Sequence, residues 1–239
     1  MAEKQRVMAM FNRIAKRYDL LNHVLSFGID RRWRAKATRE VGEQAARVLD
    51  VACGTGDFSL ALLRRGAREV VGMDISENML EVARVKARKR GVPEERVTFL
   101  AGDAEATGLP GASFDAVTVA FGVRNFERLE RSVREFYRVL RPGGRLVILE
   151  FAVPRRFPVR GVYRFYFTRV LPFVGGLISG DRAAYSYLPA SVYAFPSGER
   201  FLAILRAGGF VSPVARSLTF GIVVLYSARK PAREEGASD

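Results

Sequence analysis

Between Arg47 and Phe151, short apolar runs alternate with stretches of helical period, and nothing else in the 239 residues constrains the fold as much. The runs are Arg47–Ala52, Glu69–Ile75, Val97–Ala101, Ala116–Phe121 and Arg145–Phe151. All but the third are nearly continuous in apolar residues, as parallel strands covered on both faces should be. The helical stretches between them are Phe58–Arg65, Glu77–Arg90 and Glu127–Leu140. Ser76 precedes the second as an N-cap, with Glu77 in its first turn. Arg141-Pro142-Gly143-Gly144 reads as a stop after the third. The alternation predicts a parallel sheet with helices on both faces.

The carboxyl third departs from that rhythm. Glu199–Ala207 reads as a helix halted at Gly208-Gly209, followed by strands at Phe210–Ser217 and Gly221–Arg229 joined by a tight turn. Two parts lie outside the sheet, a helical amino-terminal segment over residues 1–37 and an aromatic, arginine-rich insert over 154–196. The expected organisation is one domain over residues 1–230 and an unstructured tail over 231–239.

Composition excludes several classes of chemistry. One cysteine, Cys53, forbids an internal disulfide and any cysteine-based zinc site, and one histidine, His23, leaves little for a metal or a Ser-His triad. No metal is expected, and Cys53 reads as a small packed residue. No apolar run approaches the ~20 residues of a membrane span. The charged amino terminus is not a signal peptide, so a reducing, cytoplasmic setting is expected. A net charge of +14 suits nucleic acid, an anionic membrane or an anionic ligand equally.

Asp50-Val51-Ala52-Cys53-Gly54-Thr55-Gly56-Asp57 marks the carboxyl end of the first strand, where ligands of open α/β sheets bind. Gly54 and Gly56 would let the backbone approach a ligand, with the following helix supplying free N–H groups. Gly54-Thr55-Gly56-Asp57-Phe58-Ser59 lacks the third glycine of a dinucleotide loop, which weakens a pyrophosphate reading. Asp74, ending the second strand beside Ile75, can accept from both hydroxyls of a ribose. Asp103, after the third strand, can accept from an adenine amino group while the Ala104 N–H donates to the ring. Two carboxylates at successive strand ends suit S-adenosylmethionine, whose ammonium Asp50 or Asp57 could face.

The blocks Tyr18–Trp33 (YDLLNHVLSFGIDRRW), Phe121–Phe126 (FGVRNF) and Arg138–Phe151 (RVLRPGGRLVILEF) occur in that order. In them the chain resembles the ubiquinone/menaquinone biosynthesis C-methyltransferases over nearly its whole length. It departs from that family's usual pattern at Asp30, Ala120 and Ala152. The resemblance implies a Rossmann-like class I S-adenosylmethionine-dependent methyltransferase fold, with a seven-stranded, mostly parallel sheet and an antiparallel last strand. It also implies methyl transfer to a ring carbon of a prenylated hydroquinone, with demethylmenaquinol or the ubiquinone precursor as acceptor. Thr55, Asp74, Asp103 and Ala104 match the family's cofactor positions.

A hydroquinone must gain phenolate character before its ring attacks, and the implied site offers Arg124 as an electrostatic stabiliser. Asn125 would hold a ring oxygen or a water, and Tyr18 would close over the cofactor. His23, flanked by Val24 and Leu25, reads as a helix-face residue. Pro154–Pro189 carries six arginines and the single acid Asp181 among Phe157, Tyr163, Phe165, Tyr166, Phe167 and Phe173. That insert reads as a packed cap forming a tunnel for a prenyl tail, its mouth on an anionic membrane surface. An RNA methyltransferase and a non-catalytic binding protein remain rival readings, although no nucleic-acid-binding module is visible. The oligomeric state is open, and a homodimer is compatible with the sequence.

Overall fold

A computed structural model describes residues 2–171, 173 and 182–232. Asp181 and all of the expected tail beyond Ala232 lie outside the described residues. The elements are α1 (Ala2–Leu25), α2 (Ile29–Val41), β1 (Arg47–Val51), α3 (Asp57–Arg65), β2 (Glu69–Asp74), α4 (Glu77–Lys89), β3 (Val97–Ala101) and β4 (Phe114–Ala120). They continue as α5 (Leu129–Val139), β5 (Leu140–Phe151), α6 (Val159–Phe165), α7 (Arg182–Ala194), α8 (Glu199–Ala207), β6 (Val211–Leu218) and β7 (Val223–Arg229). A π-helical turn, Tyr166–Val170, extends α6.

The seven strands form one sheet in the order β3-β2-β1-β4-β5-β7-β6. Pairs among β1 to β5 are parallel, and β7 runs antiparallel to both β5 and β6. The order reverses between β1 and β4, so the crevice beyond their carboxyl ends is where such a sheet binds a ligand. Both strands are apolar because helices cover both faces. On one face α5 and α8 bury Val133, Phe136, Phe201 and Leu205. On the other, α2, α3 and α4 bury Trp33, Ala37, Leu60, Leu80 and Ala83.

The observed fold is the class I S-adenosylmethionine methyltransferase sheet, with differences of detail. Residues Arg141–Gly144 do not form a loop. β5 starts directly at Leu140, and the register shifts between the Phe114–Leu140 and Ala116–Arg145 pairs, so the Pro-Gly-Gly run is absorbed as an irregularity. Val123–Asn125 is a 3-10 turn, and α5 begins at Leu129 after Arg128, later than the expected Glu127. Ser76 does cap α4, its hydroxyl accepting from the Met79 N–H at 3.3 Å. Outside the sheet, α1 and the insert pack on each other. Met10, Ile14 and Leu21 meet Met79, Tyr163, Phe167, Leu171 and Val192 in a third apolar cluster.

Candidate active site

At the crevice the backbone is held in an unusual state. Ala52, just past β1, and Phe121, just past β4, have positive φ of 53° and 61°. Neither is glycine, and strain of this kind persists only where the surroundings impose it. A Cβ on Gly122 would lie 2.5 Å from the Ala52 Cβ, so the two strand ends can approach only because that residue is glycine.

The two glycines of the first loop do different work. A Cβ on Gly54 would meet only Tyr18, at 3.9 Å, so this position faces open space. A Cβ on Gly56 would lie 2.9 Å from the Phe99 ring and 3.0 Å from the Ala83 Cβ. Packing against β3 and α4 and a left-handed φ of 77° are thus enough to require glycine at 56, a demand the loop sequence alone did not disclose. Asp74 accepts from the Gly54 N–H at 2.8 Å and the Ser76 N–H at 2.9 Å, and burial raises its pKa against these bonds. It fixes the loop while leaving further lone pairs. Asp103 accepts from the Glu105 N–H at 2.9 Å and pairs with Lys4 of α1.

A cleft runs across these strand ends and is lined by Tyr18, Gly54, Asp74, Ile75, Asp103, Ala104 and Asn125. Asp50, Thr55 and Gly56, all expected at the cofactor, do not line it, and neither does Asp57. Asp50 is fully buried, and its carboxylate accepts from Ser59 at 2.6 Å and Thr118 at 2.9 Å. It points into the protein and cannot meet an ammonium group. Asp57, the other candidate for that role, is taken by Lys86 at 2.8 Å. Thr55 is buried and donates to Asp19, tying α1 to the loop. Cys53 is buried and its thiol pKa is pushed well up by burial, so it is a packed residue.

A second cavity opens beside the first, sharing Phe11, Tyr18 and Phe121 with it. It is walled by α1, α2 and the insert, mostly with apolar and aromatic side chains. Phe121 and Phe151 lie 4.6 Å apart by centroid, and Tyr163 stacks on Phe167 at 4.3 Å. Arg124 lines this pocket, its guanidinium 5.7 Å from the Phe151 ring centre. It donates to Glu150 Oε1 at 2.8 Å, to Ser191 Oγ at 3.2 Å and to the Phe121 carbonyl. Asn125 Oδ1 accepts from the Tyr187 hydroxyl at 3.1 Å. Burial raises the Tyr18 pKa, opposed by Asn22 and by the charges of Arg124 and Arg34.

Sequence reasoning passed over Glu150, Arg34, Asp19 and Lys4. Glu150 carried a signal, a lone charge inside the apolar run Leu146–Phe151. His23 is drawn into an ion cluster, with Nδ1 2.9 Å from Asp30 and Nε2 3.6 Å from Asp57. Asp30, one of the departures from the family pattern, is buried there and also pairs with Arg34.

Known proteins share this fold. Among solved structures, the cyclase SpnF superposes with a TM-score of 0.67 at 20% identity, over 96% of each chain. A SAM-dependent methyltransferase from Thermotoga maritima gives 0.65 at 22%, over 93% of this chain and 98% of that one. At such identities the likeness speaks for the fold. In sequence, the demethylmenaquinone methyltransferase of Thermus thermophilus is 52% identical over 224 residues, covering 93% of this chain and all of that one. The ubiquinone/menaquinone biosynthesis C-methyltransferase UbiE of Syntrophotalea carbinolica is 50% identical over 221 residues, 91% of each. The sequence model of the ubiE/COQ5 methyltransferase family matches residues 1–230, and with the cleft, the pocket and these relatives in agreement, the chain belongs to that family.

Proposed function

We propose that this protein moves a methyl group from S-adenosylmethionine to a ring carbon of a prenylated hydroquinone, with demethylmenaquinol as acceptor and menaquinol as product. The observation that carries the proposal is the meeting of two unlike cavities at Tyr18 and Phe121, one edged by carboxylates and one apolar. The donor set of the first fits the cofactor. Asp74 and Asp103 match hydroxyl and amino hydrogens, and the loop lacks the third glycine that a pyrophosphate would favour. When bound, S-adenosylmethionine supplies a methyl group on a positively charged sulfur. Asp74 would hold the ribose, Asp103 and Ala104 the adenine edge and Ile75 its face, while Gly54 leaves room for the methionine end beside Tyr18. Lys4 must release Asp103 as the adenine arrives. Thr55 acts indirectly, through Asp19, by holding α1 in place.

The acceptor hydroxyl is a phenol with an ordinary pKa of ~10. The Arg124 guanidinium favours its phenolate form, in a pocket where water screens little. Arginine is too weak a base to take the proton itself, so water carries it away. Glu150 and Ser191 hold the guanidinium in place, and Asn125, steadied by Tyr187, faces the junction. After transfer, the proton on the methylated carbon leaves to water and the ring oxygen regains one, so the aromatic quinol is restored and one proton is released in net. Relatives named for both quinones support the ubiquinone precursor as a second acceptor. An acceptor base in RNA fits poorly, because the methyl position opens onto an apolar pocket.

The mouth of that pocket supports contact with an anionic membrane. Phe27 is 80% exposed and Phe157 89%, with Val162 and Phe165 also exposed. Arg155, Arg156, Arg160 and Arg164 punctuate the same insert. No helix among the described residues is long and apolar enough to cross a membrane, so any attachment would be peripheral. The deciding assay offers demethylmenaquinol and a demethyl-ubiquinol precursor side by side with labelled cofactor. Label in demethylmenaquinol is expected, and label in neither quinol overturns the proposal. Flotation with phosphatidylglycerol vesicles should show binding that falls as salt rises.

A further inference from the structure

Several exposed arginines of the sheet domain meet a carboxylate. Arg65 pairs with Glu43, Arg138 with Glu135, Arg141 with Asp115 and Arg206 with Glu199. The insert is built differently. Between Glu150 and Glu199 the chain carries six arginines and a single acid, Asp181. Among the described residues, the exposed side chains of Arg160 and Arg164 have neither an ion pair nor a hydrogen bond. Like charges gathered without acids repel one another, a cost that a bound anion removes.

Arg160, Arg164 and Thr168 recur at every fourth residue of α6 and its π-helical extension, so they share one face. With Tyr193 of α7 they line a groove that no carboxylate enters. The Thr168 hydroxyl is spent on the Arg164 carbonyl, to which it donates at 2.7 Å. The Tyr193 hydroxyl has no hydrogen bond among the described residues, and the side chain is half exposed. The free donors of the groove are therefore two guanidinium forks and one phenol, a set that matches the oxygens of a phosphate. The same helix turns Tyr163, Tyr166 and Phe167 to the acceptor pocket and leaves Val162 and Phe165 exposed.

We propose that Arg160, Arg164 and Tyr193 hold the phosphate of an anionic membrane-lipid headgroup, which sets the mouth of the acceptor pocket against the bilayer in one orientation. The choice of a lipid rests on the quinol reading above, because a prenyl-tailed acceptor is delivered from a bilayer. Val162 and Phe165 also call for an apolar phase beside the phosphate, which a bilayer offers at its headgroup boundary and RNA does not. Diffuse attraction by a chain of net charge +14 would depend on charge alone, whereas a built site depends on these three residues.

Flotation with mixed phosphatidylglycerol and phosphatidylcholine vesicles separates the two. Arg160→Gln/Arg164→Gln should weaken binding about 10- to 30-fold, the attraction of two basic side chains near an anionic surface. Arg64→Gln/Arg90→Gln removes the same charge where α3 and α4 end, beside the amino ends of the strands, and should weaken binding less than about threefold. Tyr193→Phe changes no charge and should weaken it about 3- to 10-fold, the worth of one hydrogen bond. KM for long-tailed demethylmenaquinol carried in these vesicles should rise in the two groove variants, while KM for a dissolved, short-tailed one should not. An Arg64→Gln/Arg90→Gln variant that loses as much as Arg160→Gln/Arg164→Gln overturns the site, as does a Tyr193→Phe variant that floats like the wild type. Inorganic phosphate that displaces the vesicles more than chloride of equal ionic strength overturns the lipid assignment, and so does RNA that displaces them through the same three residues. A wild type that floats through these residues yet is inert on quinols overturns the proposed function alone.

Discussion

Arg124 and Glu150 allow a structural role to be separated from a chemical one. The Glu150 side chain is fully buried and that of Arg124 is 5% exposed. Glu150 accepts from Arg124 Nη1 at 2.8 Å, from the Arg124 N–H at 3.2 Å and from the Phe151 N–H at 2.8 Å. Arg124→Met leaves a carboxylate sealed from water without its counter-charge, and Glu150→Leu does the same to the guanidinium. Breaking a buried pair from one side costs about 3–5 kcal/mol. In a chain of this size each kcal/mol is worth about 2–4 °C, so each single variant should melt about 6–20 °C lower. The double variant Arg124→Met/Glu150→Leu replaces both charges with apolar groups and should recover most of that loss. Its turnover should not recover, because the cation beside the phenol is gone, a loss of about 10²–10³-fold. Cofactor affinity should be unchanged throughout, since neither residue lines the cofactor cleft. Thermal denaturation, calorimetry and methyl incorporation measure the three quantities. A double variant no more stable than the singles would refute the buried-pair argument. One that turns over within tenfold of wild type would refute the use of Arg124 as a cation.

Three other expectations can be checked with the same material. Burial lifts the Asp50 carboxyl from 3.8 to about 6, against opposing bonds from Ser59 and Thr118. Between about pH 4 and 6 the folded chain therefore holds more of this proton than the unfolded one, and this group subtracts stability as pH rises through that window. Asp50→Asn should gain on wild type by up to about 3 kcal/mol between pH 4 and 7 in urea denaturation, and a gap that is independent of pH contradicts the assignment. Asp74→Ala removes the acceptor for two ribose hydroxyls and releases the Gly54 loop, so calorimetry should show cofactor affinity at least about 100-fold weaker; affinity within tenfold would place the ribose elsewhere. Gly56→Ala forces a methyl into Phe99 and should cost about 1–3 kcal/mol or more in stability, whereas Gly54→Ala should melt closer to wild type yet weaken cofactor binding. The reverse order would mean that the two glycines have exchanged roles.

What could be read from the sequence was what repeats locally. β1, β2, β4 and the second half of β5 are nearly continuous apolar runs, and a run of that kind records burial on both faces whatever its neighbours are. Asp74 and Asp103 could be placed because each follows directly from a strand end. What could not be read depends on register and on distant partners. Asp50 looks like a ligand until Ser59 and Thr118, 9 and 68 residues away, are seen to consume its oxygens. Gly54 and Gly56 are equivalent as letters, and only the position of the Phe99 ring, in a strand two places across the sheet from β1, tells them apart. Pro142-Gly143-Gly144 has every mark of a loop, yet the sheet absorbs it because β4 offers a pairing partner as early as Phe114. Arg124 was found through a motif, but the reason it stays in place is Glu150, 26 residues away on the adjacent strand.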